Sequence, residues 1–339
     1  MGLQIGDIVA RKEIKLEELK GKIIAVDAFN VIYQFLSSIR QPDGTPLMDS
    51  KQRVTSHLSG LFYRNIALLE EGIKLVYVFD GEYHELKGKT HEIREGAKEL
   101  MREKYKEARD EGDVEDMNRF SRGFMKLNDE MIRESKELLE ALGVCVVQAP
   151  GEGEMQAAML VRDGECYAVA SQDYDALVVG ATKLIQNLTL AKKRRLPNGE
   201  FVYISPELIE YERVLNELGL NGDQLICLAV IVGTDFNLGG VKGLGPKKAL
   251  AIVKEKKHPV AIFEHISEQR GDLGFDWQQI FEMFKKPNVK KFEINFPKLD
   301  EGRVKEILVN EHDFSSDRVE RQLDKLRNLK KEQGQKKLF

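Results

Sequence analysis

Apolar positions along this chain fall into two patterns, and each predicts a kind of element. Short continuous apolar runs at Lys22–Asp27 (KIIAVD), Leu75–Asp80 (LVYVFD), Cys145–Val147, Cys166–Ser171 and Leu184–Asn187 read as buried strands. Helical spacing marks Ala28–Leu36, about Asp49–Glu71, and Met155–Val161. Strands alternating with helices predict βαβ crossovers and a mainly parallel sheet, whose ligands gather at the carboxyl ends of the strands. Glu82–Gly143 shows no strand pattern. Its Lys87, Arg94, Lys98, Arg102, Lys106 and Arg109 interleave with glutamates at helical spacing, which predicts a solvated, salt-bridged helix pair turning near Gly112. After Ile204 the pattern becomes helical, with Ser205 as N-cap and Pro206 in the first helical position, so a soft domain boundary is placed there. Ser315–Lys331 reads as a charged helix, followed by a loose Gln333–Phe339.

Composition narrows the class. The 339 residues are 42% hydrophobic and 32% charged, enough for a real core under a heavily charged surface. No apolar run approaches the ~20 residues of a membrane span. Met1–Ala10 lacks the basic start and apolar body of a signal peptide, so a cytoplasmic location is expected. Cys145, Cys166 and Cys227 sit among apolar neighbours without a CxxC pair, as free core thiols do. The histidines show no metal-ligand spacing, and His91 and His312 are assigned to solvated helix ends.

Candidate chemistry lies in carboxylates. Two strands end in an acid, Asp27 and Asp80, and that repetition lifts both above ordinary turn formers. In Gly151–Asp175, Glu152 and Glu154 open a helix, while Asp173 and Asp175 close the next strand two apart and facing one way. Asp235 follows a Gly-Thr pair. Carboxylates brought together repel unless divalent cations lie between them. The competing reading is that Glu152 and Glu154 favour a helix dipole and Asp173 caps a turn. The formal net charge of −4 argues against a nucleic-acid partner, but setting those seven acids aside turns −4 into +3. Lys87 and Arg94, two helical turns apart just beyond Asp80, would offset charge developing on a phosphoryl group. In Asp235–Leu250 (DFNLGGVKGLGPKKAL), Gly243 and Gly245 precede Pro246 and a first helical turn bearing Lys247 and Lys248, a backbone grip on phosphate. Lys192–Gly199 (KKRRLPNG) reads as a basic hairpin loop.

Over nearly its whole length the chain resembles the flap endonucleases of the structure-specific 5′ nuclease family. The residues that carry this are Met1-Gly2, VDAFN with Asp27, RQPDGTPLMDS from Arg40, HLSGLFYR ending at Arg64, and VYVFDG with Asp80. APGEGE with Glu152 and Glu154, SQDYD with Asp173 and Asp175, and GTDFN…GVKGLGPKKAL with Asp235 complete the match. The resemblance implies a twisted, mainly parallel α/β sheet between helical layers, a helical arch at about 82–131, and a helix-two-turn-helix element at about 225–256. It divides the chain into a nuclease region at 1–204, a helical DNA-binding region at 205–331 that returns Asp235 to the site, and a flexible tail at 332–339. The seven acids become metal ligands, and Lys87 and Arg94 the catalytic cations. Gly2, Tyr33, Arg40, Arg64, Gly233, Lys242, Gly243, Gly245, Lys247 and Lys248 become DNA contacts, with Glu152 and Asp235 beside them. Two Mg²⁺ are implied, with Mn²⁺ able to substitute, and K⁺ at the helix-two-turn-helix. Gln335, Leu338 and Phe339 resemble the start of a sliding-clamp (PCNA) binding motif. Gly151 departs from the family, standing where Ser is common.

The expected protein is a monomeric Mg²⁺-dependent nuclease that removes 5′ flaps from branched DNA in replication and repair, with secondary 5′–3′ exonuclease activity. Two alternatives stay open. A PIN-type ribonuclease would share the acids and need no glycine-lysine clamp; a non-catalytic junction binder would keep the clamp and not need seven acids.

Overall fold

The computed structural model describes residues 3–41, 44–82, 87–111, 113–121, 123, 126–189, 193–195 and 200–336. The strands are β1 (Lys12–Glu13), β2 (Ile23–Asp27), β3 (Lys74–Phe79), β4 (Cys145–Gln148), β5 (Ala168–Ala170), β6 (Lys183–Gln186), β7 (Lys193–Arg195), β8 (Phe201–Tyr203) and β9 (Glu207–Glu210). Among the described residues they form one seven-stranded sheet, in the order β1-β9-β6-β5-β2-β3-β4, and a separate β7–β8 ribbon. β2 to β6 run parallel, and β9 closes that edge antiparallel to both β6 and β1. All five parallel strands therefore end on the same side.

Alternation along the central strands builds two cores. Ile24 and Val26 of β2, with Leu75, Tyr77 and Phe79 of β3, pack on one face against α1 (Ala28–Ser38), α2 (Ser56–Glu70) and α5 (Asp129–Ala141). Ala25, Val76 and Val78 point the other way, toward α6 (Gly153–Arg162), α7 (Asp175–Val179) and α9 (Gly222–Val232). Between α2 and α5 the chain leaves the sheet as α3 (Gly88–Glu111) and α4 (Val114–Ser121). After the sheet come α8 (Tyr211–Leu218), α10 (Pro246–Lys256), α11 (Pro259–Arg270), α12 (Trp277–Lys285), α13 (Glu301–Lys305) and α14 (Ser316–Lys336). Among the described residues no single helix is long and apolar enough to cross a membrane. All three cysteines are buried free thiols.

Several expectations need correction. The α2 helix starts at Ser56 rather than near Asp49, because the preceding stretch is committed to turns. The Asp49 side chain accepts from the backbone N–H of Lys51 and Arg53 at 2.9 Å each, and Met48 bridges Val54. Local acceptance by an Asp side chain competes with helix in this way. Ser205 and Pro206 do not open a helix. Pro206 lends its carbonyl to Ile14 N–H at 2.9 Å, and β9 follows with Leu208 and Ile209 buried in the sheet. A domain boundary at 204/205 would cut that sheet. Lys193–Arg195 of the supposed basic loop is strand; Lys192 and Leu196–Gly199 lie outside the described residues. Asp173 and Asp175 do not share an extended strand end, since β5 stops at Ala170, Asp173 lies in a bend and Asp175 opens α7. The C-terminal helix continues through Lys336 into the supposed tail.

His312 is buried rather than solvated. Its Nδ1 lies 3.0 Å from Asp49 Oδ2 and its Nε2 3.1 Å from Glu134 Oε1. The His57 ring reaches within 3.7 Å of the other Glu134 oxygen, and Arg53 pairs with Asp49 at 2.7 Å while donating to the Glu311 carbonyl. The cluster ties the turn before α2, α2 itself, α5 and the approach to α14 together. The side chain of His91 lies outside the described residues.

Candidate active site

Each central parallel strand delivers acids to the same edge. Asp27 ends β2 and caps α1, its Oδ1 accepting Asn30 N–H at 3.1 Å. Asp80 follows β3, and its Oδ1 accepts Gly153 N–H at 2.6 Å. A Cβ at residue 153 would lie 2.6 Å from that oxygen, so glycine is what lets α6 begin against Asp80. Glu152 is the N-cap residue of α6 and Glu154 lies in its first turn, where Glu154 Oε1 accepts Ala176 N–H of α7 at 3.1 Å. Both glutamates thus lie where the helix dipole favours them and also face the cleft. Asp235 returns in the turn after α9, 3.9 Å from the Lys87 ammonium, which is also ion-paired to Glu152. The same ammonium sits 5.4 Å over the Phe236 ring.

Among the described residues this crowd of negative charge is compensated only in part. Burial, then repulsion from Asp80, pushes the Asp27 carboxyl up to about 7. Burial and then Asp235 raise Asp175 to about 7, while burial and Glu152 raise Asp80 to about 6. Glu154 is pushed well above the carboxylate range by burial and by Asp175. Burial works against charge on Lys87 too, yet attraction from Glu152, Asp235 and Asp80 outweighs it and holds the ammonium above its usual range. Asp175 Oδ1 is buried with no hydrogen-bond partner. An orphaned buried oxygen among all-oxygen donors fits a hard divalent cation. Among the described residues no three of these groups are already drawn to metal-ligand geometry. Leu3 is buried in the same core as Tyr174 and Ala176, which flank Asp175, so the N-terminal segment approaches the site; Gly2 lies outside the described residues.

The remaining candidates spread outward. Tyr33 projects from α1 with the Lys98 ammonium 5.8 Å above its ring. The Arg40 guanidinium donates to the carbonyls of Ser37, Gly44 and Ser121 at 3.2, 2.7 and 3.0 Å, joining α1 to α4. Arg64 is half-buried on α2, and the side chain of Arg94 lies outside the described residues. Gly233 ends α9 at φ +112°, and a Cβ there would sit 2.6 Å from Gly240 N, so the two turns can nest only with glycine. An open cleft of about 510 Å³ lies between these turns and Gln4–Asp7, bordered by Gly243, Gly245 and Pro246. Gly245 is the N-cap residue of α10 and offers no side-chain cap, and Lys242, Lys247 and Lys248 are exposed around it. The Gln335 side chain, Leu338 and Phe339 lie outside the described residues.

Residues 3–101 match the XPG N-terminal domain and residues 143–235 the XPG I-region. Flap endonuclease 1 of Pyrococcus furiosus is 50% identical over 96% of this chain and 95% of its own length. The chain belongs to the flap endonuclease 1 family. Flap endonuclease 1 of Thermococcus onnurineus is 48% identical, covering 98% of this chain and 96% of the relative. The solved flap endonuclease-1 from Methanococcus jannaschii superposes with a TM-score of 0.74 at 37% identity, covering 97% and 98% of the two chains. The catalytic core of Rad2 in complex with DNA substrate shares the fold, with a TM-score of 0.67 at 24% identity over 91% and 95%. Members of this nuclease family are metal-dependent. The two family regions divide these candidate residues between them, Asp27, Asp80 and Lys87 in the first and the other five acids in the second.

Sequence reasoning missed the groups that hold the acids. Asn30 Nδ2 donates to Asp173 Oδ2 at 3.0 Å, Ser171 Oγ accepts Asp173 N–H at 3.2 Å, and Gln186 of β6 donates to the Gln172 carbonyl at 2.8 Å. The available signal was Asn30 itself, a weak helix former placed in the first turn of an otherwise apolar helix start.

Proposed function

We propose that this chain hydrolyses DNA bearing a 5′ single-stranded flap at the junction with duplex, releasing the flap and leaving a ligatable nick. The observation that carries this reading is the set of buried and half-buried acids at the carboxyl edge of the sheet, two of them sharing the Lys87 ammonium, with an oxygen of Asp175 buried without a partner. Asp27, Asp80, Glu152, Glu154, Asp173, Asp175 and Asp235 would hold two Mg²⁺, with Mn²⁺ able to substitute. Bound there, the cations supply activation of water at neutral pH and stabilisation of charge on the phosphoryl group.

The chain's own residues do the rest. Lys87, held charged by its acidic neighbours, and Arg94 stabilise the phosphate as it gathers charge. Tyr33 stacks on the unpaired nucleotide at the junction. Arg40 and Arg64 contact the substrate from the α1 and α2 side. The α9–α10 turn grips duplex backbone through Gly233, Lys242, Gly243, Gly245, Lys247 and Lys248 and a K⁺ ion, without reading sequence. Slower 5′–3′ exonuclease cutting at nicks and gaps uses the same groups. The protein acts as a monomer in the cytoplasm, in replication and repair, and the motif beginning at Gln335 with Leu338 and Phe339 contacts the sliding clamp.

The test is single-turnover cleavage of a 5′-labelled double-flap DNA with Mg²⁺ or EDTA. One Mg²⁺-dependent cut at or next to the junction, lost in Asp175→Ala while DNA binding persists, supports the reading. Tight junction binding by the wild type with no cut would leave a structural DNA binder in its place.

A further inference from the structure

Asn30 spends both ends of its carboxamide on the loop that carries two of the acids. Nδ2 donates to Asp173 Oδ2 at 3.0 Å, and Oδ1 accepts the backbone N–H of Gln172 at 3.3 Å. Its own N–H binds Asp27 Oδ1 at 3.1 Å, so one residue at the start of α1 touches acids from β2 and from the loop after β5. Gln186 restrains the same loop from the opposite side, and Ser171 Oγ lies 3.5 Å from Asp27 Oδ2 while accepting Asp173 N–H.

The loop needs restraint because Asp173 repels its neighbours. Its charge contributes to the upward shifts of Asp27, Glu154 and Asp175. An arginine or lysine at position 30 could hold Asp173 as firmly, but a fixed positive charge would compete with a divalent cation for the same carboxylate. An aspartate could accept from Gln172 and could not donate to Asp173. A neutral amide restrains the acid without discharging it.

We propose that Asn30 is a positioning residue that sets Asp173 relative to Asp27 and thereby fixes the affinity of the site for divalent cations. The inference rests on the metal-dependent nuclease reading above. Loss of hydrogen bonds that orient metal-binding carboxylates weakens metal affinity ~10–100-fold.

The experiment measures Mn²⁺ binding directly, by the electron paramagnetic resonance of free Mn²⁺, for wild type, Asn30→Leu and Asn30→Asp, beside the Mg²⁺ dependence of single-turnover flap cleavage. The expected result is Mn²⁺ binding weakened ~10–100-fold in Asn30→Leu and less in Asn30→Asp, whose lost amide donor is offset by a negative charge that attracts the cation. The half-saturating Mg²⁺ concentration rises in parallel, and the rate at saturating Mg²⁺ stays near wild type. Should Asn30→Leu fail to fold, the smaller neutral variant Asn30→Ala, measured the same way, decides. Unchanged Mn²⁺ affinity in the variants, or no Mn²⁺ binding by the wild type, overturns the inference. Weakened Mn²⁺ binding together with a wild type that cuts no flap would leave the positioning role intact and remove the nuclease reading.

Discussion

Two groups of buried carboxylates in this chain are treated in opposite ways. Among the described residues around Asp175 the acids outnumber their cationic neighbour Lys87, and burial with mutual repulsion lifts Asp27, Asp80 and Asp175 to about 7, 6 and 7. Around His312 the acids meet partners. Burial would lift Glu134, but the hydrogen bond with His312, and the His57 ring 3.7 Å away, outweigh it and hold the carboxyl at about 2. Asp49 is likewise kept below its ordinary value, against burial, by the backbone and guanidinium of Arg53 and by His312. A buried charge cluster that the protein neutralises itself is a structural tie. One that it leaves in deficit is a place for a cation from outside.

The largest difference should appear on deletion. Asp175→Ala should lower single-turnover flap cleavage on the order of 10³-fold, since metal-derived transition-state stabilisation is worth several kcal/mol. Its DNA affinity, measured by fluorescence anisotropy in Ca²⁺, should change little. In the other cluster, Glu134→Ala should cost about 3 kcal/mol of folding stability, as removing one partner of a buried ionic group does. Urea denaturation would show it, while the folded fraction keeps its cleavage rate. If the two variants exchanged phenotypes, the contrast would be wrong. Between these effects, Lys87→Ala should lose ~100-fold in rate with little change in stability when Mg²⁺ is present.

The smallest effect is in pH, and its sign differs between the clusters. Asp27 and Asp175 keep their protons to about 7 in the folded, metal-free chain and lose them near 3.8 when unfolded. The folded state binds more protons between those values, so stability in EDTA should fall as pH rises from about 4 to about 7, and Asp175→Asn should flatten that slope. Glu134 does the reverse, stabilising above its unfolded value of 4.5 and losing that contribution as pH falls toward 2. The two histidines partly cancel. His312 is raised, by Glu134 against burial, so its contribution fades as pH climbs beyond 6.5; burial lowers His57, so its contribution fades as pH drops below 6.5. Urea denaturation in EDTA across pH 3 to 8 reads all of these.

What the sequence disclosed, and what it hid, follows the range of each interaction. Asp27 and Asp80 were legible because a buried run and its terminal acid are adjacent in the chain. Glu152, Glu154 and Asp235 were legible from their motifs, and the α9–α10 turn from its glycines and lysines. Ser205 and Pro206 gave a local helix signal that lost to pairing of β9 with β6 and β1, strands the local pattern does not contain. His312 was misassigned because its partners Asp49 and Glu134 lie 263 and 178 residues away. Asn30 went unnoticed for the same reason, its acid being 143 residues distant. The candidate ligands are marked by local chemistry; the residues that hold them in place are marked only in three dimensions.

The central claim is that the acidic cluster is left in charge deficit for divalent cations to fill. Calorimetric titration of the metal-free wild type with Mn²⁺ near pH 6.5, in buffers of different ionisation enthalpy, tests it most directly. Carboxyls held near 7 must release protons as cations bind, so the observed heat should depend on the buffer, and this dependence should shrink in Asp175→Asn. Binding with no proton release, or no binding at all, would contradict the account.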